Sequence, residues 1–176
     1  MAEYVYVDNS NVYIEGKRVS AVEKGLSKSL SKTLDNNYAI DFGKLHFFVA
    51  GDNPAEIRHA VLFGSRPPKN DSLWEMARNA GFEVVIEDRN IANKEKKIDT
   101  GIVTSMMRDA YKLADPAKDT ITLVSGDADY LPAIETLTKD GFRVDVVFWD
   151  HAAQELKDAC SNFISLNPHL DLISYK

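Results

Sequence analysis

Cysteine is almost missing from this sequence: Cys160 stands alone in 176 residues. One thiol excludes an internal disulfide and a zinc cage built on cysteines. Long apolar runs are missing too. The longest are a few residues, whereas a bilayer span needs about 20. The opening MAEYVYVD has no basic stretch followed by an apolar one, so it does not read as a secretory signal. The expected compartment is the cytoplasm, with no membrane partner. Basic charge is in deficit: 21 Lys and Arg face 27 Asp and Glu, for a net charge of −6. Non-specific nucleic-acid binding usually runs on a basic surface, so the balance argues against it. An acidic, metal-dependent site with a local basic rim remains compatible with that charge. With 44% apolar and 27% charged residues and no low-complexity tract, the composition is that of a globular domain. The length suits one domain, residues 1–176, with a proper core.

What is present is an alternation of short apolar runs and amphipathic stretches. YVYVD (Tyr4 to Asp8), KLHFFVA (Lys44 to Ala50), RHAVLFG (Arg58 to Gly64), FEVVIED, TITLVSG and FRVDVVFW read as strands, and FISL as a last short one. Asn9, Ser10 and Asn11 read as turn or cap residues. Val22, Leu26, Leu30 and Leu34 have weak helical spacing, which predicts a helical insertion over about 17–41. SLWEMARNAG, capped by Asp71 or Ser72, reads as a helix, and GSRPPKND before it as a loop. RNIANKEKKID reads as a basic loop. The spacing of Ile98, Ile102, Val103, Met106 and Ala110 then gives a long amphipathic helix. DYLPAIETLTKDG is a helix with Pro132 in its first turn and Gly141 at its stop, and DHAAQELKDAC is another. Strands apolar on both faces that alternate with helices imply a mainly parallel sheet covered on both sides, an α/β fold of three α/β/α layers.

In such a sheet ligands bind beyond the carboxyl ends of the strands. Asp8 ends the first strand, and Asp127 follows TITLV after a Ser-Gly turn. Asp129 lies two residues on, and Asp99 opens the long helix near the same edge. Clustered carboxylates raise one another's pKa and need compensation. Mg²⁺ or Mn²⁺, which prefer oxygen ligands, are the usual compensators and serve phosphodiester hydrolysis. Each acid also has a plainer reading. Asp8, Asp99 and Asp129 suit caps or first helical turns, and Asp150 is read as a cap for HAAQEL. Around the acids, Arg66 and Lys69 in one loop and Arg89, Lys94, Lys96 and Lys97 in another form a candidate phosphate-gripping rim. Tyr13, Tyr130 and Trp149 offer stacking surfaces for bases, although such aromatics more often fill a core. His151 beside Asp150 offers a base, although a lone histidine is more often structural.

Three ordered motifs carry a resemblance. YVYVDNSNVYIEG places Asp8 and Asn11 in an Asp-x-x-Asn pattern. KKIDTGIVTSMM gives Lys96 and Asp99 in Lys-x-x-Asp. VSGDADYLPAIETLTKDGFRVDVVFW carries Ser-Gly-Asp-x-Asp with Tyr130 where a Phe is usual. Together they resemble the NYN domains of the PIN-like nuclease superfamily, the LabA-like branch above all, over residues 4–150. The resemblance implies a sheet of order 3-2-1-4-5 and a Mg²⁺- or Mn²⁺-dependent ribonuclease of RNA processing or decay. It implies Asp8, Asp99, Asp127 and Asp129 as metal-binding and catalytic acids. Asn11 and Ser125 lie beside them on the substrate side, with Arg66, Lys94, Lys96 and Lys97 as RNA contacts. RNA is thus the expected partner, and a homodimer is left open. Many relatives carry a further acid where this chain has Ser105, which speaks against a second metal.

Two other classes stand beside this one. The same acidic cleft would serve a non-catalytic RNA- or nucleotide-binding or regulatory module. A haloacid-dehalogenase-type phosphatase needs a second Asp two residues after the first, and Ser10 occupies that place.

Overall fold

YVYVD folds as β1 (Glu3–Asp8), the strand on which the rest of the sheet is hung. The structure, a computed structural model, describes residues 1–65, 72–87 and 94–175, and of 94–97 the backbone alone. β1 alternates strictly. Tyr4 and Tyr6 enter one core, and Val5 and Val7 the other. It pairs in parallel with β2 (Ile57–Ser65) on one side and β4 (Thr120–Val124) on the other. Outside these lie β3 (Glu83–Glu87), β5 (Arg143–Phe148) and β6 (Asn162–Ser165). The order is β3-β2-β1-β4-β5-β6, parallel throughout. The expected order holds, with FISL added at the edge.

Helices α1 (Asn9–Glu23), α2 (Phe42–Ala50) and α3 (Ser72–Asn79) pack on the Val5/Val7 face, around Trp74 and Trp149. Helices α4 (Lys94–Lys112), α5 (Leu131–Lys139) and α6 (Gln154–Ala159) pack on the Tyr4/Tyr6 face, around Ile102, Met106, Ile134 and Leu156. The result is the three-layer α/β/α arrangement. Among the described residues no helix is long and apolar enough to cross a membrane.

Four expectations are corrected. KLHFFVA is not a strand but α2. Asp41 accepts from the Gly43 and Lys44 amides at 2.9 and 3.1 Å and so caps a helix. The helix then buries Phe42, Leu45 and Val49 and leaves Phe47 61% exposed, a helical face and not a strand's alternation. The helical insertion over 17–41 is the end of α1 followed by turns. Gly25 takes φ +74° just past the helix. Beyond it, Ser27 donates to the Ser29 carbonyl and Ser31 accepts from the Thr33 amide, bonds that compete with a helix. Leu26, Leu30 and Leu34 therefore stay exposed. The segment is pinned again at buried Asp35, which takes bonds of 2.7 Å from Ser20 and from Lys24. At the other end of the basic loop, α4 begins at Lys94, so Lys94, Lys96 and Lys97 lie on a helix. Asp150 does not cap α6, which starts at Gln154 after Ala153; the Asp150 carboxylate accepts from Ser165 instead. Arg66, Lys69, Asp71 and Arg89, with most of GSRPPKND, lie outside the described residues.

Candidate functional site

The order β2-β1-β4 reverses direction of travel between β1 and β4, and at such a switch point the loops leave a crevice. β1 ends there in Asp8, and β4 leads there into Ser125, Gly126 and Asp127. Glycine is needed at 126 for space: a β-carbon would overlap the Phe148 ring. Asn11, on the first turn of α1, ties the two strand ends together. Its Oδ1 accepts from the Ser125 hydroxyl at 2.9 Å and from the Gly126 amide at 3.1 Å. Ser125 is fully buried, so it shapes the turn from beneath.

Asp127 takes the role of cap. Its Oδ1 accepts from the Asp129 amide at 2.9 Å and starts a 3₁₀ turn, Ala128–Tyr130, that leads into α5. This turn swings Asp129 back toward the crevice. Carboxylate oxygens of Asp99, Asp127 and Asp129 lie within 4.8 Å of one another. Asp8 sits deeper, 6% exposed, and accepts from the Asn11 amide at 3.4 Å. It joins the group through Tyr130, whose hydroxyl lies 3.1 Å from Asp8 Oδ2 and 2.9 Å from Asp99 Oδ1. The structure thus brings all four predicted acids to one place, three as a solvent-facing group and one beneath it.

The NYN domain family matches residues 4–167. The chain belongs to that family. NYN domains are part of the PIN-like nuclease superfamily. In fold, this NYN domain is similar to a crystal structure of a protein of unknown function from Vibrio parahaemolyticus. The TM-score is 0.70 at 21% identity, over 99% of this chain and 96% of that one. No curated protein matches the chain.

Electrostatics of the NYN domain's crevice follow from burial. The Asp8 carboxyl is pushed up to about 6, first by burial and next by the Asp99 charge, with Asp127 adding to the rise. The Asn11 amide and the Tyr130 hydroxyl pull the other way. Tyr130 is held far above the usual phenol range by burial and by the Asp8 and Asp99 charges, so its hydroxyl remains a donor. Among the described residues the group offers carboxylate oxygens, a donor set that fits a hard divalent cation and does not fit a soft one. A cavity of about 460 Å³ lies elsewhere, with Glu3, Thr120, Thr122, Arg143 and Asp145 in its lining near the starts of β1, β4 and β5.

Several candidates fall outside the crevice or into the core. Trp149 is fully buried and donates to the Val12 carbonyl at 2.9 Å, and the Tyr130 ring is fully buried too, so neither stacks on a base. Tyr13 leans on the Phe42 ring. His151 pairs with Glu15 at 2.8 Å. What the motifs did not disclose is the Tyr130 hydroxyl between two acids; the signal was the Tyr itself, where a Phe is usual.

Proposed function

We propose that this NYN domain is a Mg²⁺- or Mn²⁺-dependent ribonuclease that hydrolyses RNA phosphodiester bonds in RNA processing or decay. The convergence of Asp8, Asp99, Asp127 and Asp129 at the switch point carries this reading. Asp99, Asp127 and Asp129 would hold the cation, with Asp8 closing the group from the strand side. Bound there, it supplies positive charge that makes a water more nucleophilic and steadies the phosphate oxygens. The remaining work belongs to the chain. Asn11 fixes the distance between the ends of β1 and β4 and so the placing of Asp8 against Asp127. Lys94, Lys96 and Lys97, on the first turn of α4, and Arg66 would grip the RNA backbone.

The experiment is RNA cleavage with added Mn²⁺ by the wild type, Asp8→Asn and Asp127→Asn. Activity is expected to fall by about 100-fold or more in each variant, since loss even of a group that merely supports a metal ligand costs about 10–100-fold. Equal activity in all three overturns the proposal. Ser105 and the net charge of −6 favour a second reading, a module that binds RNA or a nucleotide in this crevice without turnover. Titration calorimetry that finds tight binding, with no product in any divalent metal, selects it.

A further inference from the structure

Among the described side chains of helix α4, two acids each meet a tyrosine hydroxyl. At its C-terminal end, buried Asp109 accepts from Tyr6 of β1 at 2.6 Å. Toward its start, Asp99 accepts from Tyr130, and the same hydroxyl reaches Asp8 at the end of β1. Ile98, Ile102, Met106 and Ala110 bury the helix against the sheet. The first tie is an ordinary buried hydrogen bond from one donor to one carboxylate. The second has a different logic. A phenol offers one proton, and here it faces two carboxylates that repel each other.

We propose that Tyr130 is a positioning residue of the acidic centre: its hydroxyl spans Asp8 and Asp99 and sets the separation of β1 from the start of α4, so that the acids stand ready for a divalent cation. This rests on the metal-centre reading of the crevice. Three features support it. The Tyr130 ring is fully buried in the layer between the sheet and α4, so its hydroxyl has no freedom to swing away. Tyr130 closes the 3₁₀ turn that Asp127 caps, so one short segment supplies two acids of the group and the donor that holds the other two. The hydroxyl meets one oxygen of Asp8 and one of Asp99, acids that come from two different elements, so a single group ties the end of β1 to the start of α4. Groups that hold metal-binding carboxylates by hydrogen bonds typically matter by 10–100-fold in metal affinity.

The test is thermal unfolding of the full chain across a Mn²⁺ titration, starting from EDTA, for the wild type, Tyr130→Phe, Tyr6→Phe and Asp127→Asn. Phe keeps the ring that fills the core at both tyrosine positions. For Tyr130→Phe the Mn²⁺ concentration at half-maximal Tm shift is expected to rise about 10-fold or more. Tyr6→Phe, which removes the other tie on the same helix, is expected to lower Tm in EDTA yet leave that midpoint within about twofold of wild type. An unchanged midpoint in Tyr130→Phe, or an equal rise in Tyr6→Phe, overturns the proposal. A Mn²⁺ response that survives in Asp127→Asn overturns the metal centre itself, and the role of Tyr130 with it.

Discussion

Burying a carboxylate costs free energy unless its charge is compensated, and Asp8 is buried with two other acids at hand. Its ionisation in the folded chain is therefore opposed, and its pKa stands near 6 against an unfolded value near 3.8. The sign of the stability effect follows. Below about pH 3.8 the carboxyl is neutral in both states and costs nothing. As pH rises toward and past 6, the unfolded chain is ionised freely and the folded one at a penalty, so metal-free stability falls across that window. Asp8→Asn is isosteric and never ionises. In EDTA at about pH 7.5 it is expected to unfold later than wild type, by about 1–3 kcal/mol, while at about pH 4 the two should nearly coincide. Urea unfolding at the two pH values checks this. A variant less stable than wild type at the higher pH would mean that Asp8 is well compensated without a cation.

At the scale of elements, Gly126 shows how packing positions chemistry. The Ser-Gly-Asp turn passes over the Phe148 ring with no room for a β-carbon. Gly126→Ala is expected to cost about 1–3 kcal/mol as the turn or the ring shifts, and to weaken the Mn²⁺ response because Asp127 moves with the turn. Adding Phe148→Leu, which makes room, should restore part of the lost Tm; an additive loss in the double variant would refute the steric account. Such couplings explain what was legible in advance. β1, β2, β4 and β5 could be read because buried parallel strands are continuous apolar runs, and Asp8 and Asp127 could be placed because they end such runs. KLHFFVA is equally apolar, and periodicity alone does not separate a short buried helix from a strand; the Asp41 cap decided it. The leucine spacing over 22–34 was overruled by local hydroxyl bonds and Gly25. The Tyr130 hydroxyl was illegible for another reason. Where a side chain's end points depends on α4 and β1 meeting, across separations of 31 and 122 residues.

For the molecule as a whole, the charge of −6 sets a condition on RNA binding. A polyanion approaching an acidic protein gains nothing from the overall field, so on the proposed ribonuclease reading affinity has to come from a few phosphate contacts. The chain offers Lys94, Lys96 and Lys97 on the first turn of α4, with Arg66 in sequence between β2 and α3. For single strands the slope of log K against log salt is about −0.7 per phosphate neutralised. Four such contacts give a slope of about −3, shallow beside that of a protein which binds through a whole basic surface. Replacing the three lysines by Gln leaves one of the four cations and should bring the slope to about −1. The measurement is fluorescence anisotropy of a short labelled RNA in EDTA, where cleavage does not interfere, across a KCl series. Thermal unfolding of the same triple variant runs alongside, so that a change in slope is read against an unchanged Tm. A steep slope that survives the triple substitution would place the RNA path on another face of the domain. A slope that collapses while Tm holds would put the phosphates over the start of α4, beside Asp99.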